Sequence, residues 1–354
     1  MKDTASLRVI RSLSQDIYEN LALEDYLFSN IEEYETILFL WKNRDCVVIG
    51  RYQNPFIECD VPRLIQEGIP LARRQSGGGT VWHDEGNLCF TFMAAKGRLD
   101  RGENLETVQA ALKKLGVPAR ISGRLDISAG EKKISGSAFR ETLRASFHHG
   151  TVLVNADLEK MSRCLHGKAA QIKSKGVQSL RSPVRNISPY FGASVPPGVC
   201  TGCTEEAIIR EFIDRKQEKS GLSGLDETPA ETMDPRRVMG EEEFRRRRNH
   251  LRSREWIFGA SPPFTFEASV PEGHFIMDTE RGCVKDLRFE EKPGLSAHEG
   301  TETAALLKIR CAGLGFENIG EILRNLIREF EGQGHKKKAD LIDRLLVQGN
   351  GYWL

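Results

Sequence analysis

Apolar positions recur at helical spacing early in the chain. Within Ser14-Gln-Asp-Ile-Tyr-Glu-Asn-Leu-Ala-Leu-Glu-Asp-Tyr-Leu-Phe28, Ile17, Leu21 and Phe28 fall on one helical face, and Ser14 is the expected N-cap. Glu24 lies on that face and interrupts it. The short apolar runs Ile37–Trp41 and Cys46–Ile49, separated by Lys-Asn-Arg-Asp, predict a buried hairpin. Val61–Glu67 reads as a helix closed by Gly68. Pro70–Arg74 and Leu88–Phe92 read as strands flanking a glycine-rich loop. Residues 103–114 are helical in pattern, 147–155 are β-rich, and a helix follows from Asp157.

This irregular alternation predicts an α+β fold with a mixed or antiparallel sheet rather than a βαβ repeat. Residues 219–236, rich in Gly, Ser, Pro and acids, are expected to be a mobile loop. Glu241-Glu-Glu-Phe-Arg-Arg-Arg-Arg248 reads either as a basic nucleic-acid patch or as a solvated helix with Glu→Arg pairs 241/245, 242/246 and 243/247. The pairing cancels most of the charge and favours the helix. From Glu255 onward, β-type runs at 264–269, 274–278 and 283–289 precede helical ones at 302–311, 317–330 and 337–347. The organisation is therefore a catalytic domain over 1–250 and a smaller α+β accessory domain over 255–354.

Length fits this division, since 354 residues exceed the roughly 100–200 of one domain. Lys and Arg number 51 against 50 Asp and Glu, a net charge of +1 that argues against nucleic-acid binding by bulk charge. No apolar run approaches the roughly 18–20 residues needed to span a bilayer, so no membrane partner is expected. The eight cysteines are too sparse for a disulfide scaffold and read as buried free thiols in a reducing compartment. Cys200-Thr-Gly-Cys203 has no second pair at zinc-site spacing, so it reads as a loop leading into a helix, and no metal site is expected.

The chemistry concentrates in three segments. Arg73-Arg-Gln-Ser-Gly-Gly-Gly-Thr-Val-Trp82 has three consecutive glycines, more than a plain hairpin needs, and reads either as a loop whose backbone N–H groups approach an anion or as a flexible turn. The two arginines add charge suited to a carboxylate or phosphate. It matches neither of the common nucleotide-loop motifs. In Glu131-Lys-Lys-Ile-Ser-Gly-Ser-Ala-Phe-Arg140 a lysine opens a strand, and the small residues after it leave room for a ligand. In Phe147-His-His-Gly-Thr-Val-Leu-Val-Asn155 the adjacent histidines point to opposite faces of a strand, so at most one lines a pocket.

Together with Val48-Ile-Gly-Arg-Tyr-Gln-Asn54, Ser174-Lys-Gly-Val-Gln-Ser-Leu-Arg-Ser-Pro-Val-Arg-Asn186 and Glu255-Trp-Ile-Phe-Gly259, these segments resemble the lipoate–protein ligase A and mitochondrial lipoyltransferase family. The wording of residues 14–25 and 53–59 is most similar to the animal mitochondrial branch. The resemblance implies the catalytic fold shared with biotin–protein ligases. It implies transfer of a lipoyl group from lipoyl-AMP, or from a lipoylated donor protein, to a lysine of a lipoyl domain. The implied acceptors are the E2 subunits of 2-oxoacid dehydrogenases and the glycine-cleavage H protein. ATP and magnesium are implied if the chain also makes the adenylate. A monomer in the mitochondrial matrix is expected, with the cytosol as the alternative.

Residue by residue, the resemblance implies that Arg74, Gly79, Thr80, Val81 and Trp82 contact the adenylate. Ser76, Gly77 and Gly78 would shape the loop around it. Lys133 would bridge the acyl carbonyl and the phosphate, Asp126 would bind the substrate or adenylate, and Arg140 and His149 would line the acyl pocket. Ligases of the family usually carry Arg-Asn-Asp ahead of the lysine, where this chain has Arg124-Leu-Asp126. That departure makes transfer the main expectation and full ATP-dependent ligation the alternative. An octanoyltransferase of the same fold would use a cysteine. Residues 130–163 and 165–199 contain none, and Cys164 lies in a helical run.

Overall fold

The computed structural model describes residues 6–349, 352 and 353, apart from 166, 168, 193, 221–229 and 293–297. Half of the expected mobile loop, 221–229, lies outside the described residues; of the rest, 230–233 form a strand and 235–236 begin a helix. The strands are β1 (Ser6–Ser12), β2 (Glu35–Trp41), β3 (Cys46–Ile49), β4 (Leu71–Arg73), β5 (Val81–His83), β6 (Asn87–Ala95), β7 (Ala119–Ile121), β8 (Ile127–Ala129), β9 (Lys132–Glu141), β10 (Ala145–Leu153), β11 (Ile172–Ser174), β12 (Ala230–Met233), β13 (Phe264–Val270), β14 (Gly273–Glu280) and β15 (Cys283–Glu291). The helices are α1 (Ile17–Ser29), α2 (Pro55–Glu58), α3 (Val61–Gln66), α4 (Arg101–Lys114), α5 (Leu158–Cys164), α6 (Pro197–Ser220), α7 (Pro235–Met239), α8 (Glu241–Arg252), α9 (His298–Cys311), α10 (Ile319–Gly332) and α11 (Lys336–Gln348).

The chain divides into two compact units. The first is drawn from Met1–Gly50, Ala72–Met161 and Leu180–Arg252. Its eight-stranded sheet runs β12-β1-β2-β6-β10-β9-β8-β7. β1 pairs in parallel with β12 and β2, and the remaining pairs are antiparallel, as a mixed α+β sheet requires. Alternation along β6 assigns its faces. Leu88, Phe90 and Phe92 join Leu105, Val108 and Leu112 of α4 and Phe212 of α6 in one core. Thr91 lies on the face covered by α1, where Phe28 meets Phe147 edge to face at 5.0 Å.

Three local expectations change. α1 is capped by Asp16, whose carboxylate accepts from the N–H groups of Tyr18 and Glu19, while the Ser14 hydroxyl accepts from the Asp16 N–H and donates to the Glu19 side chain. The two apolar runs 37–41 and 46–49 do not pair with each other. β2 joins β1 and β6, whereas β3 enters a separate three-stranded sheet, β4-β3-β5. Both runs are buried on both faces, so neither carries a period that could specify a partner. The Cys200–Cys203 pair sits on α6 itself, with Cys200 buried and Cys203 exposed.

The second unit is drawn from Arg51–Leu71, Ser162–Ser179 and Ser253–Leu354. Its sheet is β11-β13-β14-β15. Phe56 explains why residues as early as 51–71 belong here. It is buried against Phe316 (4.9 Å), Phe258 (5.6 Å) and Phe264 (5.7 Å). Among the described residues no helix is long and apolar enough to cross a membrane.

Candidate active site

The glycine loop joins β4 to β5, which flank β3 on either side. Arg73 is fully buried, and its guanidinium donates to the Gly50 carbonyl at 3.2 Å. Arg74 turns back beneath the loop. Its Nε donates to Ser76 Oγ (3.0 Å), Nη1 to the Val48 carbonyl (3.2 Å), and Nη2 to the carbonyls of Gly77 (2.6 Å) and Gly79 (2.8 Å). A trans peptide carries its N–H opposite its carbonyl. Drawing these two carbonyls toward Arg74 therefore turns the N–H groups of Gly78 and Thr80 away from it, the arrangement an anion cradle needs. Gly78 has φ +88°, and a Cβ there would lie 2.8 Å from Arg74 Nη2. Burial pulls the Arg74 pKa down to about 10, with Glu24 opposing, so the side chain keeps its charge near neutral pH.

Behind the loop runs a buried polar relay. Ser76 Oγ and His149 Nε2 are 2.7 Å apart, and His149 Nδ1 lies 2.9 Å from Glu24 Oε1. Thr91 Oγ1 donates to the same carboxylate oxygen at 2.7 Å, and Trp41 Nε1 donates to Thr91 at 3.2 Å. A carboxylate oxygen accepts, so His149 donates from Nδ1 to Glu24, and its Nε2 meets the Ser76 hydroxyl on the other side of the ring. Glu24, which breaks the apolar face of α1 in the sequence, is the centre of this relay. Its one legible signal was a charge at a core position.

Lys133 stands at the start of β9. Its backbone N–H donates to the Pro183 carbonyl (2.9 Å), and its carbonyl accepts from Arg185 N–H (3.1 Å), which fixes the start of β9. Its ammonium pairs with Asp126 Oδ1 at 2.9 Å and lies across Gly136, where a Cβ would be 2.9 Å from Nζ. The register places Gly136, Ala138 and Arg140 opposite Thr151, His149 and Phe147 on β10, on one face of the sheet. A Cβ on Gly78 would stand 3.4 Å from Ala138 Cβ, so the glycine loop sits over this same face. The small residues after Lys133 thus open room beneath the loop.

One face therefore unites Ser76, Gly78, Lys133, Arg140 and His149, and Arg74 supports it from within. Trp82 stands apart. It is buried, and its indole donates to Asp84 at 2.8 Å, which also accepts from the Asp157 N–H at 2.7 Å. His148 faces the opposite core, bonded to Ser137 Oγ at 2.9 Å and packed on Phe139. Burial pulls its pKa down to about 3, so it is a neutral core residue. The adjacent histidines point to opposite faces, as strand alternation predicts. Among the described residues no three His, Cys, Asp or Glu side chains form a metal-holding group.

This arrangement has close relatives. Residues 16–212 match the family described as the lipoyl protein ligase A/B catalytic domain. The chain belongs to that family. It is 39% identical over 311 residues to a lipoate-protein ligase A of the bacterium Psychrobacter cryohalolentis, covering 88% of this chain and 89% of the relative. Its fold is like that of Plasmodium falciparum LipL1 solved with lipoate (22% identity, TM-score 0.61, 96% of this chain and all of that one). It is also like the bipartite lipoate protein ligase of the archaeon Thermoplasma acidophilum, described with its E2 lipoyl domain (25% identity, TM-score 0.55, 72% and 96% covered). The family is one of acyl-transferring enzymes, and this chain is a member of that class.

Two further features of this ligase-family site were not legible in the sequence. Asp25, next to Glu24, accepts from Gln75 Nε2 (2.9 Å) and Arg140 Nη1 (3.1 Å), and also from Arg247 of α8. The charged run 241–248 is thus not simply solvated. Glu243 pairs with Arg246 (2.7 Å) and Arg247 (2.6 Å), while Arg248 reaches Asp16 and Glu19 on α1 at 3.4 Å. Leu125, the residue at which the sequence departs from the Arg-Asn-Asp expected of a ligase, closes a turn onto the Ser122 carbonyl with φ +61°. This is the left-handed region, in which Asn and Gly are the favoured residues.

Proposed function

We propose that this protein is a lipoate–protein ligase. It activates lipoate with ATP as lipoyl-AMP and passes the lipoyl group to a lysine of a lipoyl domain. The observation that carries this reading is the single sheet face on which the Lys133 ammonium and the glycine loop come together. Attack by an amine on the mixed anhydride develops negative charge on the acyl oxygen and on the departing phosphate. An ammonium between the two stabilises both, and the activated acyl group needs no enzyme nucleophile. Lys133 serves that part, with Asp126 orienting it. The outward N–H of Gly78 takes the phosphate, with Gly77, Gly79, Thr80 and Val81 around the nucleotide. Arg140 and His149 line the lipoyl pocket, and any magnesium enters with ATP as part of that substrate.

Full ligation is favoured over transfer alone by the 39% identity to a lipoate-protein ligase A. The geometry at Leu125 also supports it. The Asn usual there has a backbone reason of its own, so its replacement is not by itself a loss of ATP chemistry. The acceptor is a lipoyl domain of a 2-oxoacid dehydrogenase E2 subunit or of the H-protein type. A mitochondrial location rests on the branch resemblance, while the curated relative is bacterial. The deciding experiment supplies purified protein and an apo lipoyl domain with lipoate plus ATP, with lipoyl-AMP, or with lipoylated H protein. Modification from lipoate plus ATP is expected. Modification from lipoyl-AMP alone would reduce the protein to a transferase. Modification only from H protein would make it an amidotransferase.

A further inference from the structure

Asp25 joins three distant parts of the first unit. Its Oδ1 accepts from Gln75, at the edge of the glycine loop, and from Arg140 of β9, while its Oδ2 is held by Arg247 of α8. The group is largely shielded, with side-chain exposures of 18% for Asp25, 26% for Arg140 and 15% for Arg247. Arg247 is fixed from behind, since its Nε donates to Glu243 Oε1 at 2.6 Å and its guanidinium stands over the Tyr26 ring at 5.7 Å. Arg140 stands over the Phe28 ring at 4.9 Å. Its Nε and Nη2 have no hydrogen-bond partner among the described residues.

A guanidinium beside a carboxylate with both oxygens free closes into two parallel bonds. Arg140 makes one bond only, to the Oδ1 it shares with Gln75, while the cationic Arg247 stands at Oδ2, where its like charge opposes the approach of a second Arg140 nitrogen. The geometry points to Arg247 as a positioning residue. By occupying Oδ2 of Asp25 it keeps Arg140 in a single-bond geometry and leaves the other Arg140 nitrogens available on the sheet face that carries His149. Arg247 lies outside residues 16–212, the part matched by the family description, so that match gives it no role. This inference rests on the reading of Arg140 as part of the lipoyl pocket. Without Arg247, Arg140 collapses onto Asp25 as a bidentate pair and withdraws from the ligand.

The test compares the full chain with Arg247→Gln, Arg247→Lys and Arg248→Gln. Arg248 also ties α8 to α1, through Asp16 and Glu19, but does not touch Asp25, so it controls for loosening of the helix. Arg247→Gln is expected to raise the KM for lipoate about ten-fold with kcat changed far less. Arg247→Lys restores part of the loss, because an ammonium can still hold Oδ2. Arg248→Gln leaves KM within about two-fold of the parent. A crystal structure of Arg247→Gln is expected to show Arg140 bidentate on Asp25. Equal KM changes in Arg247→Gln and Arg248→Gln, or an unmoved Arg140, would overturn the inference. If the parent binds no lipoate, the reading of the pocket fails, and the Arg140 position in the Arg247→Gln crystal still decides the positioning role.

Discussion

Gly136→Ala separates the chemistry of Lys133 from the stability of the fold. The added Cβ would lie 2.8 Å from Lys133 Cε, 2.9 Å from Nζ and 3.9 Å from Asp126 Oδ1, where ordinary contact begins at 3.4 Å. The clashing atoms are the far end of a flexible side chain, so the lysine yields rather than the strand. Its terminus must move by about 0.5 Å or more, away from the 2.9 Å pair with Asp126. Gly136 sits inside β9 without a positive φ, so alanine fits the backbone and removes an entropic liability of about 0.5–1 kcal/mol. Activity should fall while stability holds or rises. A misplacement of this size at a group that meets developing charge costs about 10–10² in rate. The assay is single-turnover transfer from lipoyl-AMP to an apo lipoyl domain, beside a urea titration of the same sample. Transfer within two-fold of the parent, with a crystal structure showing Nζ displaced, would refute the role given to Lys133.

Glu24→Ala leaves the His149 Nδ1–H and the Thr91 hydroxyl without an acceptor in a buried setting and should cost about 3 kcal/mol. Glu24→Gln keeps an acceptor oxygen and should cost less than half of that, so equal losses in denaturant titrations would count against the relay. Leu125→Asn relieves a left-handed backbone and should add about 1 kcal/mol, read as a rise in urea midpoint, and an unchanged midpoint would show that the turn carries no strain. Burial holds His83 and His148 neutral, with pKa values of about 3, against about 6.5 in an unfolded chain. Between those values the unfolded state binds more protons. Stability should therefore fall as pH drops below about 6.5, by about 1 kcal/mol per pH unit for each histidine. His148→Phe should roughly halve that slope, and urea midpoints that stay flat from about pH 7 to 5 would contradict it.

Local patterns were legible. The C-terminal strands and helices appear where the runs 264–269, 274–278, 283–289, 302–311, 317–330 and 337–347 put them, because periodicity is a property of neighbours along the chain. The glycine loop and the lysine strand were recognisable by type, since three glycines and a small-residue run carry a backbone cost that a plain turn does not need. Strand pairing failed at 37–49, where two runs buried on both faces offered no period to choose partners. Trp82 read as part of the loop wording, yet its indole is spent on Asp84.

What the sequence determined, then, is which segments form strands and helices and which few bear the residue types of a candidate site. Tertiary structure alone decided how those segments are held. Glu24 meets His149 across 125 positions and Arg247 meets Asp25 across 222, and no local pattern encodes such contacts. A charge on an apolar helix face, or inside a run of balanced charges, acquires its meaning only when folding brings up the partners that offset its desolvation.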